Sequence, residues 1–66
     1  MTIFVNGKRH EVAPDSTLGS LLDGLGVRRD GTAVARNDQV VPRARVEATS
    51  LAPDDRIEIL VAVAGG

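Results

Sequence analysis

The chain has no cysteine, tryptophan or tyrosine, and Phe4 is its only aromatic residue. Without cysteine it has neither a disulfide framework nor a thiolate metal site, and one histidine, His10, does not make a structural zinc site alone. That absence fits a reducing cytoplasm. A single aromatic ring is no stacking platform for nucleic-acid bases. Neither sign of charge is in excess: eight basic residues against nine acidic leave a net charge of −1. No basic surface is therefore available to displace counterions from a phosphate backbone. No apolar run nears the ~20 residues that cross a bilayer, and the first residues lack a charged leader followed by an apolar stretch. The expectation is a soluble, cytoplasmic protein with no nucleic-acid or membrane partner.

What is present is aliphatic. The 66 residues make one domain, and a fold of this size buries only about 60% of the surface its unfolded chain exposes. With no cross-link to help, the core must come from Val, Leu, Ile and Ala. Thr2 to Asn6 alternates, with Ile3 and Val5 on one face and Thr2, Phe4 and Asn6 on the other, which predicts a strand. Asn6-Gly7 favours the positive φ angles of a two-residue hairpin turn. Lys8 to Ala13 returns as a second strand, giving a hairpin over residues 2–13.

Pro14-Asp15-Ser16-Thr17 ends that strand and opens a helix, with Thr17 as its N-cap. Leu18, Leu21, Leu22 and Leu25 form one apolar stripe at helical spacing. Gly19 and Gly24 weaken the helix by roughly 1 kcal/mol each relative to alanine, and Gly26 is a left-handed terminator. The predicted helix runs 18–25. Arg28-Arg29-Asp30-Gly31 reads as a solvated loop. Ala33 to Arg36 is a short strand, Asn37-Asp38 a turn, and Val40-Val41 a strand ended by Pro42. Between Arg43 and Asp55 no period persists, and only Val46 and Leu51 stand out as core anchors. Arg56 to Val63 is the last strand, with Ile57, Ile59 and Val61 on one face and Arg56, Glu58, Leu60 and Ala62 on the other. Five short strands and one amphipathic helix predict an α+β fold: a mixed five-stranded sheet with the helix packed across one face. The first and last strands can lie side by side in parallel. Residues 1–62 form the domain and 63–66 a flexible tail.

No catalytic constellation is visible. Asp54 and Asp55 are neighbours that point apart in extended chain and read as turn residues. His10 has no nucleophile beside it, and no glycine loop matches a nucleotide fingerprint. The tail differs. Ala64-Gly65-Gly66 carries a carboxylate on a nearly side-chain-free tether, and four extended residues reach roughly 13 Å. Such a tether threads a narrow cleft while the domain stays outside. An α-carboxyl group, with a pKa near 3.5, is ionised at neutral pH. It attacks the α-phosphorus of ATP, and only the resulting acyl-adenylate is a good electrophile. The phosphate-neutralising Lys, Arg and Mg²⁺ that this requires must belong to a partner. The chain reads as a carrier, not an enzyme, and binds no cofactor or metal itself.

Several segments together resemble the ThiS family of sulfur carriers over nearly the full length. They are Ile3-Phe4-Val5-Asn6-Gly7, the Thr17-x-x-x-Leu21-Leu22 helix start, Ala35-x-Asn37-x-x-Val40-Val41-Pro42-Arg43, and Asp55-x-Ile57-Glu58-Ile59 followed by Ala62-Val63-Ala64-Gly65-Gly66. The resemblance implies a ubiquitin-like β-grasp fold. It also implies a cycle in which an E1-like adenylating enzyme uses ATP and Mg²⁺ to activate Gly66. A cysteine-derived persulfide donor then supplies sulfur, giving a thiocarboxylate that thiazole synthase takes into the thiazole of thiamin. On that basis Gly66 is the modified residue, with Gly65 and Ala64 as its threading segment. Family members often carry Gly-Asp where this chain has Asp54-Asp55, and a Glu or other polar residue at Ser20. The small subunit of molybdopterin synthase, carriers for cysteine synthesis or tRNA thiolation, and ubiquitin-like modifiers share the fold and the Gly-Gly end. If Ile3, Val5, Ile57 and Ile59 face the helix, Phe4 and Leu60 point to the open side of the sheet. There they are expected to form an apolar patch that docks both the adenylating enzyme and thiazole synthase.

Overall fold

A computed structural model of the chain describes residues 1–61. Its elements are β1 (Thr2–Val5), β2 (Lys8–Glu11), α1 (Leu18–Leu25), β3 (Thr32–Arg36), β4 (Gln39–Val41), α2 (Arg43–Val46) and β5 (Arg56–Val61). The strands form one sheet in the order β2-β1-β5-β3-β4, with β1 and β5 parallel and the other pairs antiparallel.

Local chemistry sets each boundary. Asn6 and Gly7 both adopt positive φ, 50° and 83°, in the turn between β1 and β2, and Asn37 and Asp38 do the same, at 51° and 70°, between β3 and β4. Paired positive φ angles match the twist of tight hairpins. At the start of α1 the Thr17 hydroxyl accepts from the Ser20 N–H at 3.1 Å, and Ser20 Oγ accepts from the Thr17 N–H at 2.9 Å. Ser20 thus completes a reciprocal cap, the task a glutamate performs in the commoner version. Gly26 closes the helix in the left-handed region, φ 71°.

The core lies between the sheet and α1. Ile3 and Val5 from β1, Ile57 and Ile59 from β5, and Val34 from β3 meet Leu18, Leu21 and Leu22 of α1, with Val46 and Leu51 closing one side. Ile3, Leu18, Leu22 and Ile57 are fully buried, each side chain contributing about 2–3 kcal/mol through lost water contact. Two residues of the expected inward faces stay exposed. Leu25 overhangs edge strand β2, lining an open groove with His10, Ser20 and Gly24. Val61 keeps the parity of Ile57 and Ile59 but runs past the buried core beside Thr32.

The segment after Pro42, which shows no period in sequence, contains the single helical turn α2. Four residues are too few to display a helical repeat. Arg29, expected to be solvated, is instead a clamp. Its guanidinium donates to both Glu47 carboxylate oxygens at 2.6 and 3.1 Å and to the Gly19 carbonyl at 3.0 Å, and it pairs with Asp23 at 2.8 Å. The hydrogen bonds from Arg29 hold the Glu47 carboxyl below the usual range.

The two helix glycines have different reasons to exist. A Cβ on Gly19 would collide with the Glu47 carboxylate and lie 3.0 Å from the Glu47 Cα, whereas a Cβ on Gly24 would meet nothing within 4 Å. Gly24→Ala is therefore expected to raise stability by about 1 kcal/mol, the helix-propensity difference. Gly19→Ala should lower it by about 1–3 kcal/mol through overpacking. Urea unfolding of the two variants checks both signs.

Candidate functional site

Strand β5 leads to the tail, and two turn asparagines and one buried acid hold it. Where β1 stops, the Asn6 side chain continues its hydrogen bonding: Oδ1 accepts from the Ile59 N–H at 2.8 Å, and Nδ2 donates to the Ile59 carbonyl at 3.2 Å. On the other flank Asn37 Oδ1 accepts from the Arg56 N–H at 2.9 Å, while the Asn37 N–H donates to the Arg56 carbonyl at 2.8 Å. Because β5 is parallel to β1, its described end, Val61, lies at the Asn6-Gly7 end of the sheet.

The adjacent acids, read from sequence as a turn pair, divide their roles. Asp54 takes the turn, with φ 67°. Asp55 is buried, at 5% exposure, and its carboxylate accepts from Arg36 Nε at 2.7 Å, Asn37 Nδ2 at 2.9 Å and the Ala52 N–H at 2.8 Å. Burial pushes its carboxyl up, but the combined donors outweigh burial and hold it below the usual range.

The open face of the sheet carries both residues of the expected patch, though not side by side. Phe4 is half-buried and stands opposite Arg56, while Leu60, 68% exposed, stands opposite Ala33 on β3. Those two positions are four steps apart along β5, about 13 Å on a strand. Phe4 instead floors an open groove of about 630 Å³ with Asn6, Gly7, Asp54, Arg56 and Glu58. The apolar surface around Leu60 extends the other way, through Ala33 and Ala35 to Val40, which is 77% exposed and opposite Ala35. Sequence reasoning missed those three. The alternation of small alanines around Val34 was their only signal.

Ala64, Gly65 and Gly66, and the expected tail 63–66 as a whole, lie outside the described residues. Among the described residues no cluster of His, Asp or Glu has metal-site geometry, and no helix is long and apolar enough to cross a membrane. His10 stands opposite Ile3, half-buried on the helix side of the sheet.

A five-stranded mixed sheet with parallel neighbours β1 and β5 and the helix α1 packed on one face defines a ubiquitin-like β-grasp domain. Residues 3–66 match the ThiS family model, and the chain belongs to the ThiS family. It is 33% identical to the sulfur carrier protein ThiS of Escherichia coli, over 100% of both chains. It is 41% identical to a thiazole synthase of Magnetococcus marinus over 100% of this chain and 20% of that protein, so it spans a fifth of that relative's length. The crystal structure of the thiamine biosynthesis protein ThiS from Geobacter metallireducens superposes with a TM-score of 0.83 at 32% identity, covering 100% of each chain.

The lowered Asp55 pKa fixes a direction for acid unfolding. The unfolded carboxyl titrates near 3.9, so the stabilisation is complete above about pH 4 and is lost as pH falls through the lower folded value. Asp55→Ala, which strands an arginine, an amide and a backbone N–H, should cost about 2–3 kcal/mol at neutral pH. That difference should narrow below about pH 4 when both proteins are unfolded by denaturant across a pH series.

Proposed function

We propose that this protein is a sulfur carrier in thiamin thiazole biosynthesis, working through the carboxylate of Gly66. The observation that carries the proposal is the end-to-end match to the Escherichia coli sulfur carrier, together with a family match that runs through residue 66. An adenylating enzyme supplies ATP and Mg²⁺. One carboxylate oxygen attacks the α-phosphorus and pyrophosphate leaves, giving an acyl-adenylate. A persulfide sulfur then displaces AMP at the acyl carbon, and a reducing thiol frees the thiocarboxylate. Thiazole synthase consumes that sulfur. The partnership draws support from the Magnetococcus marinus thiazole synthase, in which a segment similar to this whole chain occupies a fifth of the protein.

The domain's part is delivery. Clamping β5 through Asn6, Asn37 and Asp55 fixes the point from which residues 62–66 start, so docking of the domain also aims the tail. Gly65 and Ala64 pass through the partner's cleft because neither side chain obstructs it. The open face, with Phe4 and Leu60, is the docking surface for both the adenylating enzyme and the synthase. Its apolar core in this chain is Leu60 on β5 with Val40 on edge strand β4, both well exposed.

Incubation with ATP, a cognate adenylating enzyme and a persulfide donor should convert the chain to a species heavier by the mass difference between sulfur and oxygen, located by fragmentation at Gly66. An unchanged mass with an active enzyme and donor would sink the proposal. Leu60→Asp, with its circular dichroism unaltered, should bind both enzymes at least about tenfold more weakly, because a charge then replaces a buried anchor.

A further inference from the structure

Glu58 stands in the middle of the open face without a counterion. Its neighbours on that face of β5 are Arg56 and Leu60, and across the strand boundary it faces Ala35, which in turn faces Val40. The cations of this face are already engaged. Arg9 pairs with Glu11 at 3.3 Å, and Arg56 reaches away to Asp38 at 3.1 Å. Among the described residues Glu58 takes part in no ion pair.

An exposed carboxylate is well hydrated and needs no partner. Under an apolar interface it loses that hydration, and an uncompensated buried charge is strongly unfavourable. Leu60 and Val40 are the most exposed large apolar side chains of the described residues, at 68% and 77%, and Glu58 borders both: it precedes Leu60 by two residues on the same face of β5 and shares a cross-strand row with Ala35 and Val40. A surface that spans these two residues crosses Ala33 and Ala35 and comes against Glu58 at its border. The alanines beside it, Ala33 and Ala35, leave a shallow trough bounded by Leu60 and Val40. Such a trough suits the aliphatic stem of a long basic side chain whose charged end reaches the carboxylate.

We propose that the thiazole synthase surface receiving this face presents an arginine or lysine to Glu58, with its stem in the alanine trough. Glu58 is then the residue that sets partner specificity: it excludes neutral or acidic apolar surfaces that would otherwise fit the patch. It is not a catalytic residue. The inference rests on the carrier function proposed above and adds the chemistry of the partner's docking surface.

Calorimetric titration of the full chain into a cognate thiazole synthase tests it. Glu58→Lys should weaken binding at least about a hundredfold and Glu58→Gln about tenfold, the range seen when a buried charge pair is reversed or broken. Asp15→Lys makes the same charge change at an exposed site in the loop before α1 and should stay within about twofold of the wild type. Thermal unfolding of each variant confirms that it is folded. The wild type should also lose more affinity with added salt than Glu58→Gln does. Wild-type binding that Glu58→Lys leaves within twofold overturns the inference and leaves the carrier function standing. Absence of wild-type binding to an active synthase overturns both. Sedimentation that shows the face occupied by a second copy of this chain, with synthase binding indifferent to Glu58, also overturns the inference.

Discussion

The hydrogen bonds that two turn asparagines make to β5 are what the rest of this protein depends on. β5 lies at the centre of the sheet and is the one strand shared by the two hairpins. Asn6 and Asn37 each reach it from a hairpin turn, at φ angles of 50° and 51° that few residues other than asparagine and glycine adopt at low cost. Glycine would give the turn but not the amide. A buried carboxylate, Asp55, then ties the start of β5 to Asn37 and to Arg36 of β3. With these bonds made, the two hairpins share one register, the inward faces of Ile3, Val5, Ile57 and Ile59 align, and α1 has a surface to pack on.

That dependence explains how a chain without cysteine or an evident metal-ligand set keeps a single arrangement. The apolar core is small, and marginal stability is normal at this length. Polar groups add definition at the points where apolar contact is thin. Arg29 joins α1 to the segment after α2 through Glu47 and the Gly19 carbonyl, and Ser20 with Thr17 closes the front of α1. Each bond satisfies a helix end or a loop that would otherwise cost stability. On the opposite face of the sheet the ties are exposed pairs, Arg9 with Glu11 and Arg56 with Asp38, and Leu60 and Val40 stay uncovered.

Most of this architecture was legible in the sequence because its signals are local. Asn6-Gly7 and Asn37-Asp38 announced their turns, the leucine stripe announced α1 with its Thr17 and Gly26 boundaries, and alternation announced β1 and β5. Val46 and Leu51 were visible as anchors without any account of the chain between them. What stayed hidden depends on distant partners. Nothing near Arg29 in sequence points to Glu47, and Asp55 looks like a turn residue until Arg36 and Asn37 fold against it. On the open face, parity alone put Phe4 and Leu60 on the same side. The offset between β1 and β5 that separates them is a register, and register emerges only when strands pair. Leu60 is consequently grouped with Ala33, Ala35 and Val40.

The parallel pairing of β1 with β5 also bears on when the molecule can take shape during synthesis. The first strand to be made has as its inner neighbour the last, so the sheet remains in two pieces until Ile57 and Ile59 have been added. Contacts between such distant parts of a chain form late and slowly. A ribosomal product that stops short of them has two hairpins and a helix but no closed interior, and is open to proteases. Translation must therefore run through Ile59 before a closed interior can exist.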